Sequence, residues 1–381
     1  MKLINRIITT DRTPVFIGND ALSSLNRFIT TIHPGGMKYN GETELPGRRH
    51  HDVFILVDSN TRKYCLPLLL DHALSLENVP VLEIPGGEDS KYLSTAEHLW
   101  SQLLELGADR NSLLINLGGG VVSDLGGFVA AGYKRGINYI NIPTTLMGQA
   151  DAAIGGKTGV NIGHVKNQVG FFYASRGVFI FPGFLKTLPV AHLRSGLAEI
   201  IKGVLISNAS LWSRLIKHPV AELLQRPVDT GIWPGLILES VKFKNKVVMQ
   251  DYRERKQRKA LNFGHTIGHA LEGFSHTIPG KQLMHGDAVA AGMICAAFLS
   301  NRKTGLSQAH MESVVSYLRE GFPPVSIEDQ TKAAILELIT HDKKNLNGLI
   351  RFTLISQPGS PVINVSCSQE EILEALASLT V

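Results

Sequence analysis

The segment Ser112-Leu-Leu-Ile-Asn-Leu-Gly-Gly-Gly-Val-Val-Ser-Asp-Leu-Gly-Gly127 constrains this chain more than any other. A short apolar run passes through three glycines into small and apolar residues at helical spacing, which spells strand, tight turn and helix. A strand that feeds a helix returns by a crossover, so its neighbours in the sheet run parallel. The same alternation recurs around it. Runs rich in β-formers stand at 53–57, 79–84 and 139–142, and 94–106 carries apolar residues at helical spacing with Glu97 and Glu105 on the other face. The expectation is an open α/β sheet covered on both sides. The polar, Gly-rich stretch 33–51 reads as a surface insertion.

Beyond about residue 182 the pattern changes. Helical spacing governs 193–207, 236–248, 265–274, 287–301, 307–319 and 331–340, and strand signals nearly vanish until 350–355. The 381 residues therefore divide into an α/β domain, 1–183, and a mostly helical domain, 184–381. Hydrophobic residues at 44% and charged residues at 19% suit a globular chain and exclude a disordered one. The net charge of +5 comes from scattered cations without a basic helix face, so nucleic acid is not an expected partner. The longest uncharged apolar run, 288–299, falls short of the ~20 residues that a membrane span needs. The start lacks the apolar stretch of a signal peptide, and Cys65, Cys295 and Cys367 lie far apart with no CxxC, so a reducing cytoplasm is expected.

Three groups of residues carry chemistry. In the first, Gly118, Gly119 and Gly120 would let backbone N–H groups approach a pyrophosphate at a helix N-terminus, although Ser123 breaks the regular GxGxxG spacing. Asp58 and Asn60, after an earlier strand, suit a ribose hydroxyl. The second group is metal-binding in type. His265 and His269 stand one helical turn apart, His285 opens another helix, and Glu199 lies in a third. Two His and one Glu make an open catalytic zinc site; spacing nominates His265 and His269 as a pair but does not decide which of the three His bind metal. The third group is cationic: Arg135, Lys157, Lys166 beside Asn167, Lys202, Lys244, Arg258 and the pair Lys343-Lys344. Ala152 spoils a phosphate-loop reading of Lys157, which disfavours ATP hydrolysis. Jointly these cations suit a small substrate with a phosphate and a carboxylate.

In this order the motifs resemble those of the 3-dehydroquinate synthases, sugar-phosphate cyclases of the shikimate pathway. The resemblance rests on GGGVVSDLGGFVAAGYKRG (118–136), IPTTLMGQADAAIGGKTGVN (142–161), KN (166–167), LKTLP (185–189), SGLAEIIK (195–202), RKALNFGHTIGHALE (258–272), HGDAVAAGM (285–293) and HDKKN (341–345). It implies a Rossmann-like N-terminal domain with a mostly helical C-terminal one, and an NAD-dependent lyase. The substrate would be 3-deoxy-D-arabino-heptulosonate 7-phosphate (DAHP), converted to 3-dehydroquinate and phosphate. The steps would be transient oxidation, elimination, reduction and aldol cyclisation.

Position by position, the resemblance assigns NAD contacts to Asp58, Asn60, Glu88, Lys91, Gly119, Gly120, Asp124, Thr144, Thr145, Asp151, Lys166, Thr187 and Leu188. It assigns one zinc or cobalt ion to Glu199, His265 and His285, and so moves His269 from metal to substrate or proton transfer. Substrate falls to Lys157, Asn167, Lys202, Lys244, Arg258, Asn262, His269 and Lys343-Lys344, with Arg135 donated across a homodimer. Asp287 replaces a usual Glu, Ser123 a common Gly, and Phe181-Pro182 an Asp-containing pair. The rivals are a cyclase acting on sedoheptulose 7-phosphate and a metal-dependent alcohol dehydrogenase of the same fold. The joint presence of Lys244, Arg258, Asn262 and His269 speaks against the first.

Overall fold

The computed structural model describes residues 6–8, 13–32, 52–163, 165–225, 233–278, 280–325, 327–341 and 350–379. The proposed insertion 33–51 and the pair Lys343-Lys344 lie outside them. By internal packing the chain divides into a unit of Met1–Leu188 with Pro227–Asn245 and a unit of Pro189–Arg226 with Lys246–Val381. The linear division at 183/184 and this one differ chiefly in the segment 227–245. It belongs with the first unit, where Lys244 Nζ reaches the Asp151 carboxylate at 2.7 Å.

The first unit is built on a sheet of strands β1 (Arg6–Ile8), β2 (Val15–Ile17), β3 (Val53–Asp58), β4 (Val81–Ile84), β5 (Leu113–Gly118), β6 (Asn138–Pro143) and β9 (Val178–Ile180). Their order is β1-β2-β9-β6-β5-β3-β4, parallel throughout except for the antiparallel edge strand β1. Burial on both faces explains why β3 and β5 read as unbroken apolar runs instead of alternating ones. Val53, Ile55, Val57, Leu113, Ile115 and Leu117 pack on one face with Leu25, Ile29, Leu66 and Leu69. Phe54, Leu56 and Leu114 face the other way, against Leu99 and Leu103 of the helix Leu93–Glu105 and Val122, Leu125 and Val129 of the helix Gly120–Gly132. The period of two along each strand thus separates two core layers.

Strands β7 (Lys157–Ile162) and β8 (Val165–Phe172) form a separate antiparallel hairpin that the sequence reading did not foresee. Gly159 and Gly170 interrupt its alternation, and they are there for closeness. A Cβ on Gly170 would lie 1.9 Å from the Thr158 carbonyl oxygen, so no larger residue fits opposite Gly159. Ile162, Val169, Phe171 and Phe172 of this hairpin are exposed.

In the second unit the expected helices appear with slightly longer bounds, among them Val190–Ser207, His265–Ser275 and His285–Lys303. The last of these is buried almost all round its middle, and Ala and Gly predominate there because neighbouring backbones approach closely. Gly286 shows the limit: a Cβ there would stand 2.3 Å from the Ser195 carbonyl oxygen of the helix Val190–Ser207. Strand β10 (Ile350–Gln357), expected at 350–355, pairs with β11 (Ser360–Cys367), which was not expected. Cys65, Cys295 and Cys367 are all free and buried. Among the described residues no helix is long and apolar enough to cross a membrane.

Candidate active site

In the first unit the Gly-rich run folds as its grammar requires. Gly118 ends β5, Gly119 caps the next helix, and that helix begins at Gly120. A helix N-terminus at the carboxyl end of a parallel strand is a favourable place for phosphate. Asp58 ends β3 beside it in the sheet and caps the helix Ser59–Tyr64, its Oδ1 accepting from the Thr61 N–H at 2.8 Å. Asn60 is exposed on that first turn. Thr144 is buried and donates its N–H to the Gly118 carbonyl, while Thr145 Oγ1 accepts from the Gly148 N–H. Thr187 Oγ1 donates to the Phe184 carbonyl, and Leu188 N–H to that of Leu185.

A polar network joins several of the residues named from the sequence. Lys91 Nζ donates to Asp124 Oδ2 at 2.7 Å and to Asn167 Oδ1 at 2.6 Å. Asn161 Nδ2 donates to Glu88 Oε1 at 2.9 Å, and Asn161 Oδ1 accepts from the Asn167 N–H at 2.9 Å. Asn161 closes the motif 142–161 but was assigned no role, because nothing local shows that Glu88 and Asn167 meet it. Burial pushes the Asp124 carboxyl up, and the Lys91 ammonium offsets part of that. Asn167 holds a left-handed backbone, φ +55°, a conformation that Asn tolerates better than most residues. Lys244 Nζ also donates to the Asp151 carbonyl at 2.6 Å. Lys166 is half-buried and Lys157 exposed at the start of β7. Arg135 is exposed, left-handed at φ +68°, and without a hydrogen bond or ion pair among the described residues.

The second unit gathers a denser group. His265, His269 and His285 bring three ring nitrogens within 4.8 Å of one another. Glu199 Oε1 lies 3.5 Å from His265 Nε2 and 3.3 Å from His285 Nε2, and its other oxygen pairs with Lys202. Helical geometry explains the components: His265 and His269 share a face at i, i+4, and Glu199 and Lys202 at i, i+3. Two clamps join the helix of Glu199 to that of His285: Arg194 pairs bidentately with Asp287 at 2.9 Å on both sides, and Ser195 Oγ accepts from the Gly286 N–H at 2.9 Å. Arg258 is buried and donates from Nη1 to the Tyr252 carbonyl at 2.6 Å, and Asn262 Nδ2 donates to Glu254 Oε1 at 2.9 Å.

The donor set fits a divalent cation. Burial pushes the Glu199 carboxyl up, but Lys202, His265 and His285 outweigh it and hold the group well below the usual carboxylate range. Burial, reinforced by Lys202, keeps His265 well below the usual imidazole range, so the ring is neutral. His285 departs in the other direction. Burial alone would lower it, yet Glu199 and Glu272 raise it to about 10. A metal ion answers the same negative field that otherwise draws a proton onto His285.

Residues 81–195 match the family model for the 3-dehydroquinate synthase N-terminal region, and residues 196–345 that for the C-terminal region. The chain belongs to the 3-dehydroquinate synthase family. A 3-dehydroquinate synthase from Parabacteroides distasonis is 41% identical over 332 residues, covering 87% of this chain and 92% of that one. One from Leptospira interrogans serogroup Icterohaemorrhagiae serovar copenhageni is 39% identical over 307 residues, covering 81% and 83%. Among solved structures, 2-deoxy-scyllo-inosose synthase complexed with carbaglucose-6-phosphate, NAD+ and Co2+ superposes with TM-score 0.80 at 24% identity, covering 98% and 99%, which shows the fold. A 2-epi-5-epi-valiolone synthase from Streptomyces hygroscopicus subsp. jinggangensis 5008, with NAD+ and Zn2+ bound, gives TM-score 0.74 at 30% identity over 86% and 91%. As a member of the 3-dehydroquinate synthase family the chain is an enzyme, a phosphate-eliminating cyclase.

Proposed function

We propose that this chain, as a cytoplasmic homodimer, converts DAHP to 3-dehydroquinate and phosphate with the residue roles read from its sequence. The convergence of buried Glu199 with half-buried His265 and His285, inside a chain that matches the family along most of its length, carries the reading. When bound, NAD accepts and returns a hydride and a divalent ion makes the substrate hydroxyl more acidic. Glu199, His265 and His285 hold the ion, as three N/O ligands that leave a position for substrate. Gly119 and Gly120 receive the NAD pyrophosphate, Asp58 and Asn60 the ribose, and Glu88, Lys91, Asp124, Thr144, Thr145, Asp151, Lys166, Thr187 and Leu188 complete its contacts.

Arg258, with Lys244, pairs with the substrate carboxylate, and Lys157, Asn167, Asn262, Lys343 and Lys344 bind hydroxyls and phosphate. Lys202 belongs to the same substrate set, and its pairing with Glu199 keeps that carboxylate ionised. His269, exposed and with its ring centre 5.0 Å from that of His265, takes up and returns the hydroxyl proton. These residues position one substrate through several steps that need no change of partner. Arg135 reaches the phosphate of the partner subunit; its exposed, unpaired side chain and the exposed Phe171 and Phe172 support a covered face there. Free buried cysteines support the cytoplasmic reading.

Incubation with DAHP, NAD and zinc tests the proposal. Phosphate and dehydroquinate should appear in equal amounts, with turnover lost on chelation. NADH accumulating in amounts equal to product would mean a dehydrogenase. Preference for sedoheptulose 7-phosphate would mean a cyclase of the other kind.

A further inference from the structure

Glu272 was not singled out by the sequence, and its place in the second unit gives it a task. Its side chain is 4% exposed, and Oε2 lies 2.9 Å from His285 Nδ1. The other nitrogen of that ring, Nε2, faces Glu199 Oε1 at 3.3 Å and lies in the group with His265 and His269. A histidine ring has two nitrogens, and whichever carries the proton is settled by the partner of the other. A carboxylate at Nδ1 accepts the N–H there and leaves the Nε2 lone pair for a cation.

The backbone holds this arrangement in place. Glu272 follows His265 by seven residues and His269 by three, so all three share one stripe of the helix His265–Ser275. Ser275 Oγ donates to the Glu272 carbonyl at 2.6 Å and accepts from the Leu283 N–H at 3.0 Å. The segment that delivers His285 is thereby tied to the helical turn that carries Glu272. On its other side His285 is flanked by the Gly286–Ser195 and Asp287–Arg194 contacts. These fix where the ring is attached but not how it is turned; that is set by the ring's own contacts, at Nδ1 with Glu272 and at Nε2 with Glu199.

We propose that Glu272 is the positioning residue of the metal centre: its carboxylate holds His285 in the tautomer and orientation that present Nε2 to the ion. The proposal rests on the assignment of His285 as a metal ligand. The test is chelator competition for zinc with the parent, Glu272→Gln, Glu272→Ala, His285→Ala and the double variant Glu272→Ala/His285→Ala, with NAD affinity as the control for folding. Loss of such an outer partner weakens metal binding by about 10- to 100-fold, so Glu272→Ala should fall in that range. Glu272→Gln, whose amide oxygen still accepts a hydrogen bond, should lose less.

In the His285→Ala background Glu272→Ala should add nothing, because the residue acts through the ring. The visible absorption of the cobalt-loaded protein should shift in Glu272→Ala and recover partly in Glu272→Gln. If His285→Ala weakens zinc while both Glu272 variants bind it as the parent does, the positioning role is wrong and the ligand assignment stands. An equal loss from Glu272→Ala with and without His285 also overturns it. Unchanged affinity in His285→Ala removes the ligand assignment, and the proposal with it.

Discussion

The two units solve the problem of carrying charge in opposite ways. In the first, polar groups come mainly from strand ends, turns and the β7–β8 hairpin, and two buried lysines each have their own acid: Lys91 with Asp124, Lys244 with Asp151. In the second, they come from three helix faces and are mostly buried, with Glu199 shared among Lys202, His265 and His285. Separate pairs at strand ends suit a cofactor gripped at many points. A shared buried carboxylate is a single point on which everything else depends. Lesions should accordingly be local and graded in the first unit, and collective in the second.

Glu199→Ala should show the largest effect. Removing one member of a buried ion pair leaves Lys202 uncompensated, which costs about 3–5 kcal/mol. Thermal unfolding should show the loss, and equilibrium dialysis should find no metal retained after washing. Arg258→Ala comes next. A planar, charge-assisted contact to the substrate carboxylate is worth roughly 2–4 kcal/mol, or about 30- to 1,000-fold in kcat/KM. NAD affinity should stay unchanged, and Arg258→Lys should recover only part of the loss because it lacks the fork. Normal turnover of DAHP by Arg258→Ala would refute the carboxylate role.

In the first unit Lys91→Met removes a cation that bonds both Asp124 and Asn167. A fall in NAD affinity of roughly 10- to 100-fold is expected, the value of about 1.5–3 kcal/mol for a hydrogen bond to a charged group. Zinc affinity should not change; if it did, the contrast between the units would fail. Asp58→Ser is the mildest. Serine keeps the helix cap that Asp58 supplies to Thr61, so stability should move by a few tenths of a kcal/mol. NAD binding should weaken about tenfold through loss of the carboxylate, as titration calorimetry would show.

Legibility in the sequence follows the same contrast. The parallel sheet was visible because strands buried on both faces are unbroken apolar runs, as in β3 and β5. The hairpin β7–β8 was hidden by Gly159 and Gly170, whose purpose is seen only when Gly170 meets the Thr158 carbonyl. On the helix His265–Ser275 the i, i+4 histidines were legible, yet spacing favoured His269 as a ligand as strongly as His265. Glu272, on the same stripe, reads locally as a solvated acid, because nothing local shows that His285 approaches it. The convergence of Glu199 and His285 is likewise tertiary: it depends on Gly286 allowing two backbones together and on Arg194 reaching Asp287. The family resemblance supplied that convergence where spacing did not.

The proposed reaction is a transient oxidation in which NAD ends as it began. Phosphate leaves carbon 7 of DAHP, so the acidified C–H is at carbon 6 and the hydroxyl oxidised is at carbon 5. DAHP deuterated at carbon 5 should therefore give dehydroquinate that retains the whole label at the corresponding carbon, with one phosphate released per product and no NADH in solution. Deuterium lost from the product into free NADH would contradict this account, because the hydride would then have left with the cofactor instead of returning.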